Sequence, residues 1–345
     1  MTVPGAARPW TVLITARNFD VTPEPERELR DSGVVIKPSE YGRQKGDAGL
    51  AGDQLIELLE GVNSIIAGAC RLTRSVIEAS PSLRHIARRG VGFDSVDLES
   101  ASEHGVLVTI TPGVLEASVA DHVFALMLAA ARSIPAGDAL VRSGGWRGLV
   151  GVELVGKTLG IVGFGRIGRQ VAARAAGFSM RVLAYDEFPD EAAAGSLGVR
   201  LAGSLTELFG ASDVISVNVP LTATTRRLVD ARLLAKAKPG AIFVNTARGE
   251  VVDEGALAEA LRSGRLFAAG VDTYEREPPL GSPLVELPNV VLSPHIAGST
   301  QECLARANAL AAGTVVEVME GRLANRALAV NANLLDATQS PDSSG

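Results

Sequence analysis

The 345 residues are 46% hydrophobic and 21% charged, which excludes wholesale disorder and, at roughly 100–200 residues per domain, allows about two globular domains. Lys and Arg number 33 against 39 Asp and Glu, a net charge of −6, so there is no basic footprint for nucleic acid or an anionic membrane. The only two cysteines, Cys70 and Cys303, sit outside any CxxC or metal-type spacing; they exclude a disulfide framework and a cysteine-based metal site, and read as reduced thiols of a cytoplasmic protein.

The chain opens without the basic start, apolar run and small-residue cleavage site of an export signal. Residues 10–15 (WTVLIT) then predict a short apolar strand, residues 53–60 a helix and residues 64–68 a second buried strand. A helical turn over 74–79 stops at Pro81, and a third strand over 83–88 runs into the loop Gly90-Val91-Gly92. A fourth strand over 106–109 leads to Thr111-Pro112-Gly113. Strands alternating with helices imply parallel pairing through right-handed crossovers.

Residues 118–132 predict an Ala-rich helix that is apolar nearly all round, and so is buried between domains or subunits. Its greasiest stretch, 123–131, is too short to span a bilayer. A looser segment follows, with Gly144-Gly145-Trp146 as an anchored arm. A second βα series starts at Lys157, with strands over 158–163, 181–186, 214–219, 241–246, 267–272 and 290–293, a helix over 254–263 and a last helix over 301–321. The expected fold is α/β, with two Rossmann-like, doubly wound parallel sheets and a cleft between them. Residues 1–112 with 299–332 are expected to form one domain, 113–298 the other, and 333–345 a disordered polar tail.

Within the second series, TLGIVGFGRIG is a strand entering G-x-G-x-x-G. Gly163 permits the tight turn, Gly165 lets backbone approach a pyrophosphate, and Gly168 lets helix pack on strand. The amides of Arg166 and Ile167 point at the phosphates from the helix N-terminus. The next strand ends at Asp186, eighteen residues after Gly168, where a carboxylate takes the ribose hydroxyls of NAD and repels the 2′-phosphate of NADP. Arg248 follows the strand over 241–246, on the edge where open α/β sheets bind ligands, and could grip a carboxylate bidentately; a loop-capping surface arginine is the plainer alternative. Among four histidines, His85 reads as a satisfied core residue and His104 as solvated. His295 follows a strand and precedes small residues, which suits a proton donor; this favours it and leaves His122 open.

Five ordered segments, IVGFGRIG…AYD, NVPLTATT, NTARGEVVDEGAL, GVDTYEREPP and SPHIAGST, together with IARRGVGFDSVDL and TPGVLEASVADH, resemble the D-isomer-specific 2-hydroxyacid dehydrogenases over residues 10–332. That family includes phosphoglycerate dehydrogenases and hydroxypyruvate or glyoxylate reductases. The resemblance implies that Arg248 binds the substrate carboxylate and carbonyl, that His295 donates a proton to the carbonyl oxygen, and that Glu277 orients and charges His295. Glu275, outside the motif, is expected to be a surface residue. Val91 and Gly92 match the loop whose amides cradle the carboxylate. Pro220, Thr225, Ala247 and Asp272 match positions lining the cofactor. The implied activity is NAD-dependent reduction of a 2-oxo acid, with no metal required.

An alternative of another class is an NAD-sensing regulatory protein, since certain corepressors resemble this family. Family members pair as two-fold dimers through the region of the 118–132 helix and the Trp146 arm, which implies a homodimer. Phosphoglycerate dehydrogenases usually carry Arg at the position of Ala67 and Asn at that of Leu115, and both are apolar here. Arg88 matches a second basic position of that subfamily, and Arg71 and Arg74 lie near enough in sequence to substitute. The expected substrate is a small unphosphorylated 2-oxo acid; 3-phosphohydroxypyruvate is the alternative.

Overall fold

Runs of Val, Ile and Leu with no polar alternation, such as TVLI and SIIA, are what a parallel sheet covered on both faces requires. They form β1 (Thr11–Ile14) and β3 (Ser64–Ala67) at the heart of the first sheet. The computed structural model describes residues 9–43 and 45–337. It divides the chain into two units, Met1–Leu115 with Thr300–Gly345, and Glu116–Ser299.

In the first unit β1 is followed by α1 (Glu24–Asp31) and β2 (Val35–Lys37), and α2 (Gly52–Leu59) leads to β3. Then come α3 (Arg74–Glu78), β4 (His85–Arg88), α4 (Leu98–Glu103) and β5 (Leu107–Thr109). The strand order is β2-β1-β3-β4-β5 with every pairing parallel, one of the two common doubly wound arrangements. Neither α1 nor β2 is predicted by the sequence. The first is a charged EPERELRD segment that buries only Pro25 and Leu29, and the second is a three-residue edge strand.

The second unit opens with α5 (Glu116–Ala131) and α6 (Ile134–Arg142). Next are β6 (Thr158–Val162), α7 (Arg166–Ala175), β7 (Arg181–Tyr185), α8 (Glu191–Ser196), β8 (Arg200–Leu201), α9 (Leu205–Ala211) and β9 (Val214–Val217). It closes with α10 (Ala231–Leu234), β10 (Ala241–Asn245), α11 (Glu254–Arg262), β11 (Leu266–Val271) and β12 (Val290–Leu292). The parallel order β8-β7-β6-β9-β10-β11-β12 is the dinucleotide-binding arrangement, with its switch point between β6 and β9. Helix α5 is buried within this unit: Val123, Phe124 and Met127 pack with Leu159, Ile161 and Val244, and a Cβ at Gly270 would approach Leu126 to 2.7 Å. The looser segment expected after it begins instead as α6, which buries none of its residues.

The chain then returns to the first unit as α12 (Gln301–Met319), capped by Thr300, whose hydroxyl accepts from the amide of Cys303. Ala311, Ala312, Val315 and Val316 join Val12, Ile14, Phe19 and Leu29 in one core. Past α12 the chain meets β5: the amide of Val330 donates to the Val108 carbonyl at 2.8 Å, and Asn331 Oδ1 accepts from the Val108 amide at 2.8 Å. Residues 333–337, expected in a disordered tail, form the short helix α13 (Asn333–Ala337) because the chain is anchored just before it by Asn331; the rest of that tail, 338–345, lies outside the described residues. Among the described residues no single helix is long and apolar enough to cross a membrane.

Candidate active site

Because all seven strands of the second unit run parallel, their carboxyl ends share one edge. Every site residue expected in this unit lies at or just beyond that edge. Gly163 to Gly168 follow β6, Asp186 follows β7, and Pro220 and Thr225 follow β9. Ala247 and Arg248 follow β10, Asp272 and Glu277 follow β11, and His295 follows β12.

The three glycines of the β6 turn are required for different reasons. Gly163 has φ +92°, and a Cβ there would stand 2.8 Å from the Asn218 carbonyl at the end of β9. A Cβ on Gly168 would overlap the Gly163 carbonyl, so only glycine lets α7 start so close to β6. Gly165 is different. Its φ is an ordinary −73°, and a Cβ would meet nothing within 4 Å. Neither backbone nor packing calls for glycine there, whereas the close approach of a dinucleotide pyrophosphate does. The first-turn amides of Arg166 and Ile167 open toward the same space. Half-buried Asp186 is oriented by two amides: Oδ2 accepts from Phe164 at 2.7 Å and Oδ1 from Phe188 at 2.9 Å. The residues present therefore fit NAD, with a carboxylate fixed against the glycine turn. The nearby cation Arg169 is engaged by Asp190 at 2.9 Å and lies over the Phe164 ring.

Pro220 and Thr225 meet in one turn, where Thr225 Oγ1 donates to the Pro220 carbonyl at 2.6 Å and accepts from the Thr222 amide at 2.8 Å. Asn245, the last residue of β10, clamps the segment after it. Its Oδ1 accepts from the Ala247 amide at 3.0 Å, and its Nδ2 donates to the Arg248 carbonyl at 3.1 Å. Arg248 thus leaves the sheet edge on extended backbone, with Nη1 on the Ala247 carbonyl at 2.8 Å.

The loop after β11 brings Glu277 to His295. Nδ1 of His295 lies 3.0 and 2.9 Å from the two carboxylate oxygens. Nδ1 is therefore the nitrogen that donates to Glu277, which leaves Nε2 for another partner. The loop is built from below: Tyr274 Oη donates to the Ser293 carbonyl at 2.9 Å, and burial pushes the Tyr274 phenol up to about 12. Glu275 is exposed as expected, yet it also anchors the loop. Its amide donates to the buried Glu254 carboxylate at 2.6 Å, and its own carboxylate accepts from the Glu254 amide at 3.2 Å.

His295 itself has φ +52°, in the left-handed region, and its neighbours are held by Asp272. That carboxylate is fully buried; Oδ1 accepts from the Ile296 amide and Oδ2 from the Ala297 amide, both at 2.9 Å, and Ser293 Oγ donates to Oδ1 at 2.6 Å. Burial alone would raise its pKa, but the hydrogen bonds from His122, Ser293 and the two amides outweigh that and hold it below the usual carboxylate range. In this structure Asp272, expected to line the cofactor, is engaged by protein groups on both oxygens. His122 also belongs here: its Nε2 is 2.9 Å from Ser293 Oγ and 3.4 Å from Asp272 Oδ1.

In the first unit, Val91 and Gly92 follow β4. Their amides donate to no acceptor among the described residues, while Gly90 is fixed to Thr111 by reciprocal bonds of 2.8 and 2.9 Å. Arg88 is buried, with Nε 3.4 Å from the Gly92 carbonyl. Arg71 is exposed. Arg74 does not serve as a spare anion ligand, because Glu78, Asp97, Glu99 and Glu103 all lie within 4.0 Å of its guanidinium. His85 is the core residue expected, with Nε2 2.9 Å from Thr109 Oγ1, and burial lowers its pKa to about 3. His104 is exposed at the end of α4, its Nδ1 2.9 Å from the Ser100 carbonyl.

Residues 124–297 match the family profile described as D-isomer specific 2-hydroxyacid dehydrogenase, NAD binding domain. The chain belongs to that family. It is 41% identical over 309 residues to a glyoxylate reductase of Pyrococcus furiosus, covering 86% of this chain and 92% of that one. It is 40% identical over 299 residues to a D-3-phosphoglycerate dehydrogenase of Methanocaldococcus jannaschii, covering 86% of this chain but 57% of the relative. The chain thus spans about half the length of the phosphoglycerate dehydrogenases it matches. A solved D-lactate dehydrogenase from Aquifex aeolicus, complexed with NAD and lactic acid, superposes with a TM-score of 0.80 at 29% identity over 93% of this chain and 98% of that one. NAD is accordingly the cofactor of the family to which the second unit conforms.

Proposed function

We propose that this chain is an NAD-dependent D-2-hydroxyacid dehydrogenase acting on a small, unphosphorylated 2-oxo acid. The observation that carries the reading is the His295–Glu277 pair, at 2.9 Å, on the same sheet edge as the glycine turn and Arg248. NAD, when bound, supplies or accepts the hydride. Arg248 pairs with the substrate carboxylate and stabilises negative charge growing on the carbonyl oxygen. His295 gives that oxygen a proton from Nε2, and Glu277 holds the ring in the orientation that makes this possible. Within the first unit, the amides of Val91 and Gly92 are the candidate donors to a carboxylate. In the second unit Gly163, Gly165, Gly168, Arg166, Ile167 and Asp186 hold the pyrophosphate and ribose, and Pro220, Thr225 and Ala247 border the rest of the cofactor.

The substrate class follows from the missing phosphate ligands. Ala67 and Leu115 are apolar, and Arg74 is surrounded by four carboxylates. One absent charge-assisted contact is worth about 1.5–3 kcal/mol, or roughly 10- to 150-fold in specificity. Glyoxylate and hydroxypyruvate, assayed with NADH at fixed ionic strength, should be reduced at least as efficiently as 3-phosphohydroxypyruvate. A hundredfold preference for the phosphorylated acid, lost in Arg71→Ala, would overturn the substrate assignment. Failure to turn over any 2-oxo acid would overturn the enzyme reading in favour of an NAD-binding regulator.

The same reading includes a second copy of the chain as partner and the cytoplasm as location. Ile134, Val141, Trp146, Val150 and Val155 are exposed on and after α6, Trp146 by 90% and Val150 by 93%, and apolar exposure of this extent marks an interaction surface. Light scattering should give twice the monomer mass, and Trp146→Glu with Val150→Glu should reduce it to one. A monomeric parent chain would refute the pairing.

A further inference from the structure

Helix α5 places one polar side chain, His122, beneath the loop that carries His295, and the distances give its ring a definite task. Ser293 has one hydroxyl proton, and at 2.6 Å it goes to Asp272 Oδ1. The Ser293 oxygen is then an acceptor toward His122, so the His122 Nε2 at 2.9 Å carries a hydrogen and donates it. Asp272 in turn receives the amides of Ile296 and Ala297, the two residues after His295. The His295 amide closes the ring of contacts on the Asp272 carbonyl at 2.9 Å.

The geometry points to His122 as a positioning residue for His295, acting through Ser293 and Asp272 on the backbone of residues 295–297. This rests on the function proposed above. His295 holds a left-handed backbone conformation at φ +52°, which costs a residue with a Cβ roughly 1–2 kcal/mol and persists only when the surroundings enforce it. The enforcing contacts converge on Asp272, a carboxylate with no exposed side-chain surface; Ser293 donates to it directly, and His122 reaches it through Ser293. Without the His122 donor, Ser293 Oγ keeps Asp272 as its one partner and is free to rotate away from it. The loop then relaxes toward ordinary backbone angles, and Nε2 of His295 swings off the carbonyl oxygen it must protonate. Because His122 touches neither Glu277 nor His295, its effect should fall on the chemical step and spare cofactor binding.

The test uses His122→Leu, which keeps volume and removes the donor, and His122→Gln, whose amide nitrogen restores a donor at about the reach of Nε2. His122→Leu should lower kcat for 2-oxo-acid reduction about 10-fold, within the roughly 10- to 100-fold range of outer-sphere partners, with the NADH dissociation constant unchanged within twofold. His122→Gln should recover activity to within about threefold of the parent. Ser293→Ala should match His122→Leu, and the double variant should lose about 10-fold rather than 100-fold, because both act along one chain of contacts. Parental kcat in His122→Leu, no recovery with Gln, or a multiplicative double variant overturns the assignment. A parent enzyme inactive on every 2-oxo acid would instead refute the underlying function.

Discussion

Gly249→Ala should damage the site without touching any ionisable group. Gly249 follows Arg248 directly, and a Cβ built on it would overlap the carbonyl group of Tyr274 and the amide nitrogen of Glu275. Its φ is not in the left-handed region, so the cost of alanine is steric rather than conformational. Ordinary contacts between such atoms are ~3.5–4.0 Å, and the obstacle is backbone on both sides, so the two segments must part by more than about 1 Å. Asn245 clamps the Arg248 side and Glu254 the Glu275 side, so the strain is shared, and any part taken up on the second side shifts Glu277, two residues beyond Glu275. The Glu277–His295 bonds, now 3.0 and 2.9 Å, would stretch past hydrogen-bonding length. A displacement of ~1 Å at a catalytic contact costs on the order of 100-fold in rate. Overpacking adds about 1–3 kcal/mol of instability, at ~2–4 °C of Tm per kcal/mol for a unit of this size. Steady-state kinetics with NADH and glyoxylate, beside a melting curve, should show kcat down about 100-fold, Tm down by several degrees and NADH affinity little changed. A variant with the parental kcat and Tm would refute the close packing of the Arg248 and Glu277 segments.

Three further outcomes are expected. Asp186, fixed by the Phe164 and Phe188 amides, should favour NADH over NADPH by more than about tenfold in kcat/KM, and equal values would remove it from cofactor choice. His295→Ala should lower kcat by roughly 10²–10⁴ with NADH affinity intact; a parental rate would dismiss it as the proton donor. His85 gives a pH-dependent stability. Burial lowers its folded pKa to about 3 from 6.5, so below pH 6.5 the unfolded chain binds a proton that the folded one refuses, and stability is lost as pH falls toward 3 at up to ~1.4 kcal/mol per pH unit. His85→Gln should flatten that part of a urea-unfolding series, and an unchanged slope between pH 6 and 4 would count against the assignment.

What the sequence made legible was whatever combined period with chemistry. The apolar strands, the glycine turn and Asp186 are each carried by residue types that few other environments would select, whereas the pairing of Glu277 with His295 came only from the resemblance to the family. The edge strands β2 and β8 were invisible, because three and two residues hold no period. Helix α6 looks like a loose segment in the sequence because it buries none of its side chains and carries Pro135 and Gly137. His122 remained open, since a histidine on an apolar helix looks the same whether it fills a core or supports a loop; only its distance to Ser293 separates the two. Gly249 gave no signal either, because its need for a missing Cβ comes from Tyr274, twenty-five residues later.

The return of the chain to its first unit has a consequence for synthesis. Between the end of β5 and the start of α12 lie some 190 residues, about 10–40 s of translation at ~5–20 residues per second. During that interval Val12, Ile14, Phe19 and Leu29 lack Ala311, Ala312, Val315 and Val316, the side chains that complete their core, and the backbone of Val108 lacks Val330 and Asn331. The nucleotide-binding unit, continuous from Glu116 to Ser299, emerges whole and can fold first. The unit that begins the chain waits on the ribosome with an open apolar face, and it is there that a nascent-chain chaperone would be expected to bind.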